Sequence, residues 1–346
     1  MILNLLFFLI AIIYLLILNK IQLNTRFCLD QISRGEKHKL FARIKNEVPL
    51  SGSFFLLPLI CYLFFLENNS LYLICVLFFG LGLMSDLKIL SSPKNRFLLQ
   101  IIFLLIYISV EENLKIDLRI QSLNSLMSND FFRIIMISFF LLVLVNGFNF
   151  IDGVNNLCSL NFLIILFFLN ILGNKFPNFG FQNQIELFII FLSVFVIFNF
   201  FGKNFLGDGA VYGVGLLIGV LSMNLSSISN EISPYFIANL LWFPAFENLF
   251  SIIRRLINKK KNYLADNLHL HQLLFKYFLR NKLIKKKLLL SSFTGLSINV
   301  FLLSTYTIGF LFYSKTNVQI ILIFLSILTY ITLYIFLLKK TRLVCK

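Results

Sequence analysis

Long apolar runs recur along the whole chain and restrict its fold more than any other feature. Eleven such runs lie near residues 1–19, 51–66, 71–84, 97–110, 132–145, 157–172, 186–201, 211–225, 234–253, 288–313 and 318–338. A helix needs about 20 mostly apolar residues to cross a bilayer, and several runs approach that length. The mean hydropathy is +0.86 and only 13% of the residues are charged, against about 25% in a typical soluble domain. We therefore predict an all-α polytopic membrane protein with about 11 transmembrane helices, forming a single integral membrane domain over residues 1–346.

The basic residues predict which side of the membrane each loop faces. With eleven spans, 26 of the 31 Lys and Arg residues fall on one side, and short basic loops stay in the cytoplasm. The main loops on that side are 20–50, 85–96, 146–156, 202–210 and 254–287. The N-terminus is then periplasmic and the C-terminus cytoplasmic. Orientation and attraction to anionic membrane lipids explain the net charge of +16, so no nucleic acid partner is predicted.

The acidic residues lie mostly outside the apolar runs, in loops or at span ends. Apart from Arg133 and Glu186, which lie at the ends of their runs, the one charged residue within the runs is Glu247, near the predicted cytoplasmic end of its span. Ion-coupled transporters usually carry ionisable groups or broken helices near the membrane midplane. The pattern therefore favours chemistry at the cytoplasmic surface. A non-enzymatic carrier of lipid-linked sugars or of a small anion is the alternative, but it would need polar midplane residues on several spans, and Glu247 alone answers that description. Glu247 can also be read as a structural group paired with Arg or Asn in the bundle.

Four polar segments share this predicted face, and their composition suits a phosphorylated substrate with a divalent cation. They are "GLMSDLKILSSPKNR", "NGFNFIDGVNNL", "FGKNFLGDGAVYGVG" and "RRLINKKKNYLADNLHLHQLLF". Mg²⁺ binds one or two carboxylate or amide oxygens and bridges substrate phosphates, and Asp208 and Asn149 offer such oxygens. Glycines beside Asp208 let backbone amides approach an anion at a helix start. Taken singly, each segment is equally well a helix cap, a turn or a topology anchor.

At these motifs, together with "HK…VPLSGS" near residue 50, the sequence resembles the polyprenyl-phosphate N-acetylhexosamine-1-phosphate transferases, the glycosyltransferase family 4 group that contains WecA and MraY. The resemblance covers nearly the whole chain in order. It implies an enzyme of the bacterial inner (cytoplasmic) membrane that moves a sugar 1-phosphate from a UDP-N-acetylhexosamine to undecaprenyl (polyprenyl) phosphate. UMP is released, and the product starts a cell-surface glycan such as lipopolysaccharide or cell wall. The "HLH" sequence is closer to the WecA-type branch, since the third place of the MraY-type His triplet is Gln272.

The resemblance also implies roles for individual residues. Asp208 is the chief ligand of Mg²⁺, or alternatively of Mn²⁺, with Asn149 as a second ligand. Asp86, Asp152 and Asp208 are the catalytic group, and Asp152 helps to hold the nucleotide or the metal-bound diphosphate. The substrate-binding residues are Lys94, Arg96, Asn146, Asn149, Arg254, Arg255, His269 and His271. The segment 146–156 is expected to be polar because it holds Mg²⁺ and nucleotide. Whether the protein forms a homodimer is left open.

One departure from the family pattern affects the chemistry. The family usually has two adjacent aspartates where this chain has Ser85-Asp86, and the first has been proposed as the base that deprotonates the lipid phosphate. Either Asp86 takes that task or no base is needed, because a phosphate monoester has its second pKa near 6. A weakly active homologue is the other reading, and regained activity on restoring aspartate at position 85 would support it. "GDGAVYG" also differs from the "GDxGS" of many relatives.

Overall fold

The computed structural model describes residues 2–31, 47–111, 114, 116–257, 268–282, 284 and 286–342. Thirteen α-helices make up most of this part of the chain. They are α1 Ile2–Thr25, α2 Gly52–Glu67, α3 Ser70–Asp86, α4 Pro93–Val110, α5 Gln121–Met127, α6 Asp130–Ile151, α7 Leu157–Gly173, α8 Gln182–Phe200, α9 Gly207–Ile228, α10 Pro234–Ile257, α11 Leu270–Arg280, α12 Lys287–Leu311 and α13 Thr316–Arg342. The predicted His38-Lys39 motif and Asp266 lie outside the described residues, as do parts of the 20–50 and 254–287 loops.

The predicted spans correspond to helices of the structure. Eight described helices are long and apolar enough to cross a membrane, and α2, α3 and α7 are shorter apolar helices. Each of the eleven apolar runs overlaps one helix of its own. A helical, multi-pass membrane protein is thereby confirmed. The number of helices that cross the bilayer and the sides on which the termini lie stay predictions.

Several elements were not expected from the apolar runs. The amphipathic helix α11 buries Leu270, Leu273 and Phe275 and packs against α12 and α13. A single 3-10 turn covers Pro177–Phe179. The expectation of an all-α fold has one small exception, an antiparallel pair of short strands, β1 Leu29–Gln31 and β2 Glu47–Pro49.

Helices extend further into the predicted loops than the polar sequences suggest. In the structure only residues 152–156 of the segment 146–156 form a turn, because α6 continues through Asn146 and Asn149 to Ile151. Polar residues are compatible with a helix when one side of it faces other polar groups. Asn146, Asn149 and Asp152 are three residues apart, so they follow one face of the last turns of α6. The residues of this segment therefore approach the site from a helix end.

Helix α9 lies at the centre of the bundle, packed against α2, α3, α6, α7 and α10. Its tightest neighbour is α3, where a Cβ on Gly82 would lie 2.4 Å from the backbone carbonyl carbon of Asp208. Small residues at such crossings let membrane helices approach closely. By contrast, α1 and α13 are mostly exposed apolar surface, as expected for helices that face lipid. The start of α9 is thus held firmly against the end of α3.

The strand pair connects the first long loop to the start of α9. Leu50 forms a bridge with Phe205, the Phe205 amide donates to the Pro49 carbonyl (2.9 Å), and the Gly52 amide donates to the Phe205 carbonyl (3.2 Å). At the next residue of α2, Ser53 Oγ accepts a hydrogen bond from the Ala210 amide (2.9 Å). These contacts place the "VPLSGS" segment against the α8–α9 connection.

The two asparagines that precede α7 anchor that helix rather than facing the site. The Asn155 amide donates to Ser291 Oγ (3.1 Å) and the Asn156 amide donates to Asn199 Oδ1 (2.7 Å). Asn299 Nδ2 in turn donates to the Asn156 carbonyl (2.9 Å). Asn155 and Asn156 are buried. Both residues are therefore hydrogen-bonded to side chains of α8 and α12. This differs from the expectation that the whole 146–156 segment holds metal and nucleotide.

Candidate active site

Asp208 stands in the first turn of α9, and Asp86 holds that turn in place. The Asp208 and Gly209 amides donate to the two carboxylate oxygens of Asp86, at 2.9 and 3.2 Å. The first amides of a helix have no partner within the helix, and a carboxylate there also interacts favourably with the helix dipole. Gly207 enters the turn at φ +76°, and a Cβ on it would lie 2.6 Å from Asp86 Oδ2. Asp86 thus caps α9, and Gly207 leaves room for the cap.

The Asp208 carboxylate is the point where four segments meet. Its Oδ2 accepts hydrogen bonds from Ser85 Oγ at the end of α3 (2.7 Å) and from Arg96 Nη1 in the first turn of α4 (2.5 Å). Arg96 also donates to Ser85 Oγ. Oδ1 accepts from Asn149 Nδ2 near the end of α6 (2.9 Å). The side chains of Arg96 and Asp208 are 18% and 29% exposed, so the group is reachable from solvent.

This donor set fits a magnesium ion better than a transition metal. Within the described residues, no cluster of three or more His, Cys, Asp or Glu side chains is suited to a metal. Mg²⁺ needs only one or two protein oxygens, because waters and substrate phosphates complete its shell. The Asp208 carboxylate and the side-chain amide of Asn149 are in direct contact and supply that chemistry. Arg96 Nε is buried without a hydrogen-bond partner among the described residues and is a donor suited to an added phosphate.

Asp152 lies just past the end of α6 and is only partly exposed. Burial raises the pKa of its carboxyl to about 7, and the negative charges of Asp208 and Asp86 add to the rise. The charge effect shows that the three carboxyl groups share one electrostatic environment. The structure therefore groups together the three acidic residues predicted to be catalytic, with Asp86 acting on Asp208 through the backbone of α9.

The two histidines line the segment that follows α6. A Cβ on Gly153 would lie 2.1 Å from His271 Nε2, so the imidazole rests on the bare backbone beside Asp152. His271 and His269 stack nearly parallel, with ring centroids 5.7 Å apart, and the His269 ring lies 5.3 Å from that of Phe150. Burial lowers the pKa of His271 to about 3, and a positive charge on His269 contributes. His271 is thus a neutral side chain, and no described residue bonds either of its ring nitrogens.

The remaining predicted residues are less closely involved with Asp208. Arg254 Nη1 donates to the Leu268 carbonyl (2.9 Å) and to Tyr334 Oη (3.2 Å). Arg255 is buried, with its guanidinium 5.7 Å from the centre of the Phe150 ring. Arg254 therefore connects α10 to the start of α11 and to α13, whereas Arg255 lies beside the histidine segment.

Lys94 and Asn146 complete the predicted set. Lys94 is exposed in the first turn of α4, two residues before Arg96. Asn146 Nδ2 donates to Gln100 Oε1 (2.9 Å) and to the Leu142 carbonyl (2.9 Å), so its side chain lies between α4 and α6. Both residues are on the helices that carry Arg96 and Asn149.

Besides Ser85, three residues that support the site were not among the predicted site residues. Ser53 supports the first turn of α9, while Glu247 and Tyr330 form a buried pair behind His269. Glu247 had one usable signal, since it is the only charged residue that lies away from the ends of the apolar runs. Ser53 and Tyr330 are common residue types in such helices, and only the packing of distant segments shows their contacts.

Comparison with known proteins finds a family model that matches the part of the chain around the site. Residues 69–226, which contain Asp86, Asn149 and Asp208, match the family model described as glycosyl transferase family 4. The chain is 28% identical over 236 residues to a phospho-N-acetylmuramoyl-pentapeptide-transferase of Dictyoglomus turgidum, covering 66% of this chain and 75% of the relative. It is 25% identical over 236 residues to the protein of that name in Dictyoglomus thermophilum, covering 66% of this chain and 74% of the relative.

Proposed function

Since residues 69–226 match the model of glycosyl transferase family 4, we propose that the chain transfers an N-acetylhexosamine 1-phosphate from a UDP-sugar to undecaprenyl phosphate and releases UMP. Family and relatives support the coarser statement, a polyprenyl-phosphate sugar-phosphate transferase in the membrane. The observation that carries the finer proposal is the meeting of Ser85, Arg96 and Asn149 on the Asp208 carboxylate at one end of the bundle.

In this proposal the chain's own residues orient two anionic substrates. Asp208 and Asn149 would hold a Mg²⁺ ion, with Mn²⁺ as the alternative, and such an ion would supply positive charge to the diphosphate. Arg96, whose side chain is 18% exposed, offers the rest of its guanidinium to phosphate oxygens, because this group has donors beyond the Nη1 that Asp208 and Ser85 engage. His269 and His271, beside Asp152, border the place where the nucleotide enters.

The transfer itself needs no covalent intermediate on the protein. An oxygen of the lipid phosphate attacks the β-phosphorus of the donor, the bond from that phosphorus to the bridging oxygen breaks, and UMP leaves with both electrons. A phosphate monoester is largely dianionic at pH 7, so a general base at Ser85 is not required. Ser85 instead donates a hydrogen bond to Asp208 and leaves one negative charge fewer near the substrates. Positioning and charge neutralisation then provide the catalysis.

The direct test uses purified protein in detergent with undecaprenyl phosphate, Mg²⁺ and a panel of UDP-sugars, and UMP release is measured. Because the names of the relatives specify phospho-N-acetylmuramoyl-pentapeptide, the corresponding UDP-linked donor belongs in the panel beside UDP-GlcNAc and UDP-GalNAc. We expect release with a simple N-acetylhexosamine donor and none without metal. A protein that only carries lipid-linked sugars would release no UMP with any donor.

Asp208→Asn is the key variant. It keeps the size of the side chain but loses the charge that holds the metal, so we expect at least a 100-fold fall in UMP release with little change in thermal stability. The matched control is Asp130→Asn, which changes an 85% exposed aspartate at the opposite end of α6; its turnover should equal that of the wild type. Near-normal turnover of Asp208→Asn would show that the metal assignment is wrong.

A further inference from the structure

Glu247 is fully buried in α10 and receives hydrogen bonds from two other helices. His269 Nδ1 lies 2.8 Å from Glu247 Oε1, and the Leu270 amide donates weakly to the same oxygen (3.4 Å). Tyr330 Oη of α13 donates to Oε2 (2.5 Å). Glu247 has a relative exposure of 0%. Every described contact of this carboxylate is therefore a hydrogen bond from a donor, as a buried charge requires.

The contacts fix the proton arrangement of His269. A carboxylate accepts and cannot donate, so the hydrogen between Glu247 and His269 is on Nδ1 of the imidazole. The second nitrogen, Nε2, is then left for another partner, and no described residue supplies one. The ring stacks on His271 and lies beside Phe150, which places it along the residues that lead to Asp152. A histidine oriented from behind by a carboxylate is a known means of fixing both tautomer and direction.

We propose that Glu247 is a positioning residue: it accepts the hydrogen bond from His269 Nδ1 and so directs Nε2 of the ring towards the phosphates of the donor. Phosphate oxygens only accept hydrogen bonds, so the contact uses the imidazolium form, in which Nε2 also carries a hydrogen and which the Glu247 carboxylate stabilises. The inference rests on the proposed function and adds a residue to it. Tyr330 donates a hydrogen bond to the second carboxylate oxygen of Glu247. The arrangement explains why a charged residue lies inside the apolar run of α10, beside the start of α11.

The alternative is a purely structural bond between α10 and α13, and the chain offers a matched control for it. Asn239, eight residues earlier in α10 and about 12 Å away along the helix, donates to Gln319 Oε1 of α13 (3.1 Å). Asn239→Leu therefore removes a buried α10–α13 hydrogen bond far from His269. Glu247→Met removes the bond near His269 at similar volume. Glu247→Gln retains an oxygen that accepts from Nδ1 but loses the charge.

The spectroscopic test exploits the presence of only three histidines in the chain. ¹⁵N-histidine-labelled protein in lipid bilayers is studied by solid-state NMR, and His38→Asn and His271→Asn variants assign the signals. We expect a protonated, hydrogen-bonded Nδ1 for His269 in the wild type and in Asn239→Leu. In Glu247→Met that signature should disappear. A wild-type spectrum with unprotonated Nδ1 would overturn the proposal whatever the enzyme's activity.

The kinetic test measures kcat/KM for the donor in the same proteins. We expect a loss of roughly 10- to 100-fold for Glu247→Met, the usual effect of removing a carboxylate behind a ligating histidine, and a smaller loss for Glu247→Gln. Asn239→Leu should lower the melting temperature without lowering kcat/KM. Wild-type kcat/KM in Glu247→Met would refute the positioning role. A wild type that releases no UMP would instead refute the proposed function, and the NMR result would still decide the state of His269.

Discussion

At the scale of single residues, Asp86 has a more specific role than its position beside Ser85 suggests. Both of its carboxylate oxygens accept amide hydrogens from the first turn of α9. A group used in this way is poorly placed to take a proton from a substrate. Asp86 therefore supports Asp208 through the backbone, and the two aspartates have different functions within one site.

A pair of substitutions separates a cap from a general base. Asparagine keeps one of the two acceptor oxygens of this cap and alanine keeps neither; the complete loss of a helix cap costs about 1 kcal/mol. We expect Asp86→Asn to retain most of the stability and a substantial part of the turnover, and Asp86→Ala to lose both. Thermal unfolding and UMP release measure these effects. Equal and complete loss of turnover in two well-folded variants would identify Asp86 as the base.

The raised pKa of Asp152 predicts how stability varies with pH. The pKa is about 7 in the folded protein and 3.8 without the fold, so the folded state holds a proton that the unfolded chain releases between these values. The stabilisation is complete below pH 4 and is lost as the pH rises towards 7 and beyond. Asp152→Asn stays uncharged. Its melting temperature relative to the wild type should therefore increase from pH 5 to pH 8.

The measurement is made in EDTA, because a bound cation would favour the charged form of Asp152. Asp130→Asn is again the control, since its carboxyl group is exposed at the far end of α6. If the melting temperatures of the wild type and Asp152→Asn changed in parallel from pH 5 to pH 8, Asp152 would be charged throughout this range. The electrostatic link to Asp208 and Asp86 would then be absent.

At the scale of helices, the contact between α3 and α9 sets the geometry of the site. Gly82 of α3 lies against the backbone of Asp208, so any side chain there pushes the first turn of α9 away from Ser85 and Asp86. Gly80 is on the same helix, and nothing lies within 4 Å of the position that its Cβ would occupy. The two glycines therefore form a natural test pair.

We expect Gly82→Ala to lower the melting temperature by several degrees and UMP release at least tenfold, because overpacking of a tight contact typically costs 1–3 kcal/mol. Gly80→Ala should leave turnover unchanged and keep or slightly raise stability, since alanine is the better helix former. Both are measured in the same detergent and lipid. Equal behaviour of the two variants would contradict the close contact between α3 and α9.

The helices themselves could be predicted from the sequence, but their ends and contacts could not. Apolar runs identify the spans because lipid requires them. Asn146 and Asn149 looked like loop residues because polarity is a local property, whereas their place in α6 depends on neighbours from α4 and α9. The anchoring role of Asn156 and the pairing of Glu247 with His269 also depend on distant segments, so the sequence did not reveal them. The resemblance to a family identified Asp208, but only the fold shows which side chains contact it.

At the scale of the whole molecule, the predicted orientation can be tested with one helix. Asp130 begins α6 and Asn149 lies near its end, so the two ends of these 22 residues are roughly 33 Å apart, enough to span the hydrocarbon core. The basic residues predict that the Asn149 end, which carries the site, faces the cytoplasm. The Asp130 end then faces the opposite side.

Single cysteines in a background with the five native cysteines replaced by serine decide the orientation. Lys94→Cys reports the end with the site, and Asp130→Cys reports the other; both positions are exposed. In intact spheroplasts a membrane-impermeant maleimide should label Asp130→Cys at once. Lys94→Cys should react only after permeabilisation. The reverse pattern would place the site outside the cell and exclude a cytoplasmic nucleotide sugar as donor.

The short strand pair has a practical consequence for imaging. Gln31 and Glu47 are register partners, so the two chain ends that enter and leave residues 32–46 lie only about 5 Å apart. A small rigid domain whose own termini are adjacent fits between such ends without separating them. Fused there, it would give electron cryomicroscopy a visible marker for particle alignment on a protein with little mass outside the bilayer. Because Pro49 is bonded to the residues just before α9, the marker would also be fixed close to the site.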